Sequence, residues 1–372
     1  MVLWASRLMF RKLFKVYAWL KLASFQSNRS RFSILAEAIA LRLGVRKVDI
    51  AEYFELGLFL HTTSFSGSQS SWVGWRASSQ LDRLANASPW RSGVNDKLVM
   101  SKVLSGSHGF PIAQTLCLYS DSGRTLKGVH SVVNVANVES FLRETDVFPL
   151  ILKPIHGTFG KGVIEISARD EHGQLLDGTG KPLIAEEFTA LFDNPNFGGV
   201  LVQKKVFNHR EIASRVGNTL STIRMIIIVD ARGRPDVAAA FWKVALEKNS
   251  TDNFARGAHG NLLADVDLSS GEVGRVCGGL WPTHQSKQNH PETQAQLSGF
   301  VLPHWDLAKT TVMRAALEFP GLRLQGWDVG ITDEGPLLLE VNTEISLEYV
   351  QLLTGRPFFS DTVHESYSDL LR

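Results

Sequence analysis

Apolar positions in the first third of the chain recur with a helical period, and those in the remainder fall into short alternating or unbroken runs. Ile34-Leu35-Ala36-Glu37-Ala38-Ile39-Ala40-Leu41 predicts a helix ending at Gly44, and residues 33–94 read as mostly helical and mixed. Residues 62–79 are rich in Ser and Gly around Trp72 and Trp75 and read as a loop. A helix to Leu104 and Phe110-Pro111-Ile112-Ala113 then leads to a strand over 115–119, after which Asp121-Ser122-Gly123 turns the chain. A short helix over 138–143 precedes the strand Phe148-Pro149-Leu150-Ile151-Leu152-Lys153-Pro154. Further strands are expected over 200–206, 225–229 and 337–342, with a helix over 347–353 packed behind the last and Gln351 near its end.

Polar residues inside the apolar runs change the picture. In Leu337-Leu338-Leu339-Glu340-Val341-Asn342 the period of two puts Glu340 and Asn342 on one face, opposite Leu339 and Val341. Burying either without a partner costs several kcal/mol, ~2–7 by transfer scales. Upstream, Gly326-Trp327-Asp328-Val329-Gly330 ends another strand, and residues 331–336 read as the tip of a hairpin that sets the two side by side. Asp328, Glu340 and Asn342 then form an oxygen set suited to one or two Mg²⁺ ions, which keep waters and are completed by phosphates. The alternative is a solvated acidic hairpin.

A second candidate lies where the Lys153 strand runs into Ile155-His156-Gly157-Thr158-Phe159-Gly160-Lys161-Gly162-Val163. Three glycines let backbone N–H groups approach an anion closely, beside a lysine delivered by the strand. The spacing is neither a Walker A loop nor a G-x-G-x-x-G dinucleotide fingerprint. The alternative is a Gly-rich turn with no role. Asp252-Asn253-Phe254-Ala255-Arg256-Gly257-Ala258-His259-Gly260-Asn261 is a polar, Gly-rich stretch between strands, and reads as a binding loop offering Asn253 and Arg256 to a carboxylate or phosphate. His259 is open between a structural and a substrate-binding role.

Composition narrows the classes. The chain has 372 residues, 44% apolar content and a formal charge of +2, which suits a globular protein of two or three domains and disfavours a general nucleic-acid binder. Cys117 and Cys277 stand alone, without disulfide framework or zinc spacing, and there is no Gly-x-Ser-x-Gly elbow. A reducing cytosol is the expected compartment. Charge is uneven, however: Arg7, Arg11, Lys12, Lys15, Lys21, Arg29 and Arg31 precede the first acid, Glu37, and are interleaved with Trp4, Phe10, Phe14, Tyr17 and Trp19. Such a basic, aromatic helix fits peripheral contact with an anionic membrane through residues 1–31, at the inner face of the membrane. Packing against the body of the protein, or a transit peptide, are the alternatives, while no apolar run is long enough to span a bilayer.

The order of these pieces resembles the ATP-grasp superfamily: Lys153, the glycine loop, the hinge-like strand Val200-Leu201-Val202-Gln203-Lys204-Lys205-Val206, then Asp328, Glu340 and Asn342. Thr222-Ile223-Arg224, Asp252-Asn253-Phe254, Leu302-Pro303-His304-Trp305 and Gly326-Trp327-Asp328 are similar to the sugar-transfer-associated, α-L-glutamate ligase-related branch, over roughly residues 90–358. The resemblance implies an α+β fold in which two α+β subdomains clamp ATP, here behind an N-terminal helical extension. Its divisions would be an N-terminal region to residue 90, subdomains over 91–210 and 211–358, and a tail from 359.

By the same resemblance Lys153 and Lys97 contact phosphates, and Gly157, Thr158, Phe159, Gly160, Lys161 and Gly162 close over them. Gln203, with the backbone of Lys204 and Val206, faces adenine; the commoner hinge carries a glutamate, so this contact departs from the pattern. Glu211 meets the ribose, unless His209 or Arg210 aligns there instead. Arg224 clamps the transferring phosphoryl group or a tetrahedral oxyanion, its alternative being a surface arginine at a strand start. Asp328, Glu340 and Asn342 hold Mg²⁺.

The function implied is ATP- and Mg-dependent ligation of a carboxylate to an amine or other nucleophile through an acylphosphate, in polysaccharide or cell-surface conjugate synthesis. A kinase-like phosphotransferase acting on a hydroxyl, and a membrane-associated nucleotide-binding scaffold without catalysis, are the other readings.

Overall fold

The computed structural model describes residues 2–44, 47–60, 72–106, 109–157 and 160–358, with side chains from Phe14 onward. The N-terminal region is helical: α1 (Val2–Ser27), α2 (Arg31–Leu43), α3 (Ile50–Glu55), α4 (Trp75–Ala85), α5 (Ser88–Val94) and α6 (Lys97–Leu104). Local caps fix several of these ends. Ser30 accepts from the Ser33 amide to start α2, Asp49 and Glu52 form a reciprocal capping box on α3, and Asp96 accepts from Leu98 and Val99 to start α6.

Helix α4 corrects the expectation of a loop through Ser79. The Ser-Gly-rich stretch runs into an amphipathic helix whose Ala77, Ser78, Leu81, Asp82 and Ala85 are buried, and the good helix formers Arg76, Ala77, Gln80, Leu81, Arg83, Leu84 and Ala85 carry it through Ser78 and Ser79. The part of that stretch over 62–71 lies outside the described residues.

Two sheets follow. Strands β1 (Thr115–Tyr119), β2 (His130–Val132), β3 (Leu150–Pro154), β4 (Ile164–Arg169), β5 (Leu175–Asp177) and β6 (Val200–Lys204) form a six-stranded sheet of order β2-β1-β6-β3-β4-β5. Helices α7 (Val135–Glu144) and α8 (Ala185–Asp193) cover one face, burying Val138, Leu142, Phe188 and Leu191 against Leu150, Leu152, Val200 and Val202. After α9 (Arg210–Val216), strands β7 (Ile223–Val229), β8 (Pro235–Val244), β9 (Leu262–Val266), β10 (Val273–Gly278), β11 (Gln285–Lys287), β12 (Leu324–Thr332) and β13 (Gly335–Asn342) form a seven-stranded antiparallel sheet of order β11-β10-β9-β8-β7-β12-β13. The hairpin tip expected over 331–336 narrows to Asp333-Glu334, because the ladder continues to the Thr332–Gly335 pair.

The seven-stranded sheet is covered on both faces, which explains its nearly unbroken apolar runs. Met225, Ile227, Trp242 and Trp327 pack on one face with α10 (Trp305–Ala316). Ile226, Phe241 and Leu263 face the other way, under α11 (Leu347–Thr354) and the N-terminal helices. There Trp19, Phe54 and Phe59 surround Trp281, with ring centroids 5.0–5.8 Å from it, and Gln26 accepts from the Trp281 indole at 2.8 Å.

Candidate functional site

Strand alternation puts Arg224, Lys243, Asp328, Glu340 and Asn342 on the same side of the sheet as Ile226 and Phe241, where that apolar face gives way to polar residues. Register brings them together: Asp328 is the cross-strand partner of Glu340 on one side and of Arg224 on the other. Asn342 donates to Glu340 at 3.1 Å and to Asp328 at 3.4 Å. The three residues expected to hold a cation therefore converge as read.

Asp328 is also gripped by cations. Arg224 donates Nε to Oδ1 at 2.6 Å and Nη2 to Oδ2 at 3.0 Å, a bidentate fork, and Lys243 Nζ stands 3.2 Å from Oδ2. Desolvation pushes the Asp328 carboxyl up, but the charges of Arg224 and Lys243 outweigh it and hold it well below the usual carboxylate range. The approach depends on Gly326, where an added Cβ would lie 3.3 Å from the Arg224 side chain and 3.1 Å from Ile345. Two carboxylates and an amide are hard oxygen donors and fit Mg²⁺, with Glu340 and Asn342 carrying fewer cationic contacts than Asp328. Among the described residues no three His, Cys, Asp or Glu side chains form a metal cluster, so waters or phosphates would complete such a site.

Lys243 was not singled out by sequence reasoning. It bridges Asp328 to Asp252, whose Oδ1 lies 3.4 Å away. Asp252 in turn accepts from the Thr222 amide at 2.8 Å and from the Thr222 hydroxyl. The Thr222-Ile223-Arg224 and Asp252-Asn253-Phe254 segments are thus tied to each other and to the Asp328 cluster.

The other half of the site comes from the six-stranded sheet. Lys97, at the start of α6, donates to the Gly157 carbonyl at 2.8 Å and stands 4.0 Å from Glu340, joining the glycine loop to the Glu340 strand. Lys153 is partly buried, and its ammonium makes no hydrogen bond or ion pair among the described residues. Desolvation, then the charge of Lys97, lowers its ammonium to about 8, with Glu340 opposing. A lysine so placed gains strongly from a phosphate. Asp96 accepts from His156 at 3.1 Å and pairs with Arg124 at 2.7 Å, fixing the start of the loop. Gly160 has φ +72°, and a Cβ there would sit 3.0 Å from Thr251, so the loop closely approaches the segment leading into Asp252. Gly162 also has positive φ, and Lys161 is exposed; Thr158 and Phe159 lie outside the described residues.

Other expected contacts are engaged elsewhere. Gln203 lies in mid-sheet, and its amide donates to the Thr115 hydroxyl at 2.9 Å, while the Lys204 N–H donates to the Gln114 carbonyl at 3.0 Å. Those two donors are therefore held by the sheet instead of facing a purine. Val206 follows the strand, and Glu211 is exposed in the first turn of α9.

In the 252–261 loop, Asn253 accepts from the Ala255 amide at 3.0 Å, His259 is exposed, and Arg256 pairs with Glu55 of α3. The buried Asn261 holds this loop, donating to the carbonyls of Thr251 at 2.9 Å and Asn253 at 2.8 Å. Glu348, at the start of α11, is a second residue the sequence reading missed. Desolvation and the charge of Glu52 push its carboxyl up to about 7, against the pull of Arg256 and Arg224.

A family model described as sugar-transfer associated ATP-grasp matches residues 76–364. No curated protein matches. Among solved structures, an N5-carboxyaminoimidazole synthase from Aspergillus clavatus aligns at TM-score 0.38 and 12% identity, covering 73% of this chain and 51% of that one. Biotin carboxylase from Campylobacter jejuni aligns at 0.44 and 10%, covering 77% and 47%. The VanG D-Ala:D-Ser ligase from Enterococcus faecalis aligns at 0.39 and 11%, covering 77% and 62%. This chain thus spans less than two thirds of the length of each of these.

Proposed function

The chain belongs to the sugar-transfer associated ATP-grasp family, and from that premise we propose that it is a ligase using ATP and Mg²⁺ to join a carboxylate to an amine. The observation that carries the reading is the convergence of Lys97, Lys153, Arg224 and Lys243 with Asp328, Glu340 and Asn342 across the two sheets.

Such a site favours transfer of a phosphoryl group to an anionic acceptor. A carboxylate oxygen of the substrate attacks the γ-phosphorus of ATP, the bond to the β,γ-bridging oxygen breaks, and ADP leaves. The amine then attacks the acyl carbon, phosphate departs with its oxygen, and the amine proton passes to solvent. Lys153 and Lys97 neutralise phosphate charge, and Arg224 and Lys243 are positioned to meet the charge that builds on the transferring phosphoryl group or on the tetrahedral oxyanion. Glu340 and Asn342, with Asp328 beside them, would hold Mg²⁺, which shields the phosphate oxygens when bound.

The family's association with sugar transfer supports a carboxylate or amine carried on a cell-surface glycan or related conjugate. Cys117 and Cys277 are both free, which favours a cytoplasmic site of action.

The deciding experiment is Mg-dependent ATP turnover against a panel of uronic and amino acids, with and without amines, following ADP, phosphate and the coupled product. ADP and phosphate released together with an amide, and lost in Glu340→Ala, are expected. A phosphorylated alcohol formed without any amine would replace this reading with a phosphotransferase. ATP binding without turnover of any panel member in wild type, together with unimpaired cellular function of Glu340→Ala, would replace it with a scaffold.

A further inference from the structure

Helices α1 and α2 bury one face each and leave an apolar stripe on the other. In α1 the buried Trp19, Leu20 and Ala23 recur at helical spacing, with Val16 packed beside them. The opposite side carries Phe14, Ala18, Leu22 and Phe25, which fall within one side of the helix at 100° per residue. In α2, Ile34 and Ala38 are buried, and the exposed positions opposite are Phe32, Ala36, Ile39, Ala40 and Leu43. These side chains are not marginally accessible: Phe14 is 71% exposed, Phe25 86%, Phe32 83% and Leu43 81%. Single exposed apolar residues need no explanation, but two parallel stripes of them on adjacent helices do.

The charges beside the stripes have one sign. Lys15 and Lys21 flank the α1 stripe, Arg31 opens α2, and Arg7, Arg11 and Lys12 precede them in the sequence, with no acid before Glu37. Glu37 does not offset them, because it faces inward, taking the guanidinium of Arg29 and the Tyr53 hydroxyl at 3.0 Å. Among the described residues no helix is long and apolar enough to cross a membrane, so a bilayer would be met from its surface. Aromatic and aliphatic side chains on one face, with lysines beside them whose stems can snorkel to the headgroups, match that geometry.

We propose that the outer face of the α1–α2 hairpin docks on an anionic lipid surface, with Phe14, Leu22, Phe25, Phe32, Ile39 and Leu43 entering the headgroup–acyl boundary and the basic residues meeting lipid phosphates. A protein partner would need acidic groups around an apolar groove, whereas an anionic bilayer supplies both layers everywhere along these helices. The docking face is separate from the ATP site, so its failure would leave the ligase reading intact.

The test uses the full-length protein and vesicles of phosphatidylcholine with or without phosphatidylglycerol, read by co-sedimentation. Binding to the anionic vesicles that weakens with salt is expected, reduced at least about tenfold by Phe25→Ser/Phe32→Ser and by Lys15→Gln/Lys21→Gln. Because Phe25 and Phe32 are exposed, that pair should melt at the wild-type temperature, whereas Lys15, whose ammonium lies 4.4 Å over the Trp19 ring, gives the lysine pair a small loss; ATP turnover in solution should not change in either. Equal binding to neutral vesicles, or anionic binding untouched by either pair of substitutions, overturns the proposal. Self-association that the Phe25/Phe32 pair abolishes, with no vesicle binding, overturns it in favour of an interface between copies of this chain.

Discussion

Arg224 holds both carboxylate oxygens of Asp328 in a planar fork, at 2.6 and 3.0 Å, from the neighbouring strand of the same sheet. A lysine at this position keeps the charge and loses the fork. Arg224→Lys should therefore lower kcat by about 10²–10³-fold with a smaller change in KM for ATP, the pattern of a contact made mainly in the transition state. Arg224→Ala leaves Asp328 with Lys243 and the long Asn342 contact and should also cost about 3 kcal/mol of stability in urea titrations. An Arg224→Lys enzyme with wild-type kcat would remove the guanidinium from the proposed chemistry.

Lys153 should cost stability while serving nucleotide binding. Its ammonium is lowered from 10.5 to about 8 by desolvation and by Lys97, so between those pH values the unfolded chain binds more protons than the folded one. Stability therefore rises with pH across that window, and the penalty is present in full below it. Lys153→Met should raise the unfolding free energy at neutral pH by about 1–3 kcal/mol, flatten the alkaline rise, and abolish ATP binding measured by calorimetry. A variant that loses both stability and binding would contradict this account.

Glu348 gives the opposite slope. Its carboxyl is raised from 4.5 to about 7 by desolvation and by Glu52, so the folded chain binds the extra proton between those values and stability falls as pH rises through them. Glu348→Gln should remove that fall and melt above the wild type at pH 8, with the two coinciding near pH 4. Chemical denaturation across the pH range reads this directly.

Trp281 packs into the side chains of α1, α3 and the short turn after it. Trp281→Ala empties a pocket lined by Trp19, Phe54 and Phe59 and should cost about 3–5 kcal/mol in urea. ATP affinity, measured at a temperature where the variant remains folded, should be unchanged.

Much of the site was legible because it breaks a pattern. Glu340 and Asn342 interrupt an apolar strand at period two, Lys153 ends another, and three glycines follow it, so each announces a polar demand in an apolar setting. Lys243 was missed because Phe241-Trp242-Lys243-Val244 reads as a strand with one solvated position, and its two carboxylate partners become visible only through the sheet register. Glu348 looks like an ordinary acid in the first turn of a helix. The Arg256–Glu55 pair joins residues 201 apart in sequence, and no local signal encodes it. Helix α4 is hidden for the converse reason: Ser78 and Ser79 continue the Ser-Gly-rich composition of the stretch before it, and the apolar face of Ala77, Leu81 and Ala85 shows only once the window extends past Ser79.

The apolar cluster built by Trp19, Ala23, Ile34, Phe54 and Phe59 with Ile226, Phe241 and Leu263 reaches far ahead of residue 76, where the family pattern begins. The matched segment and the segment that builds this core therefore differ in length. A sheet face of this kind cannot stand bare in water. Arg224 and Asp328 rise from this same face, beside Ile226 and Phe241, so the helices ahead of residue 76 close the sheet up to the edge of the polar cluster, and trimming them would bare the apolar ground on which it stands.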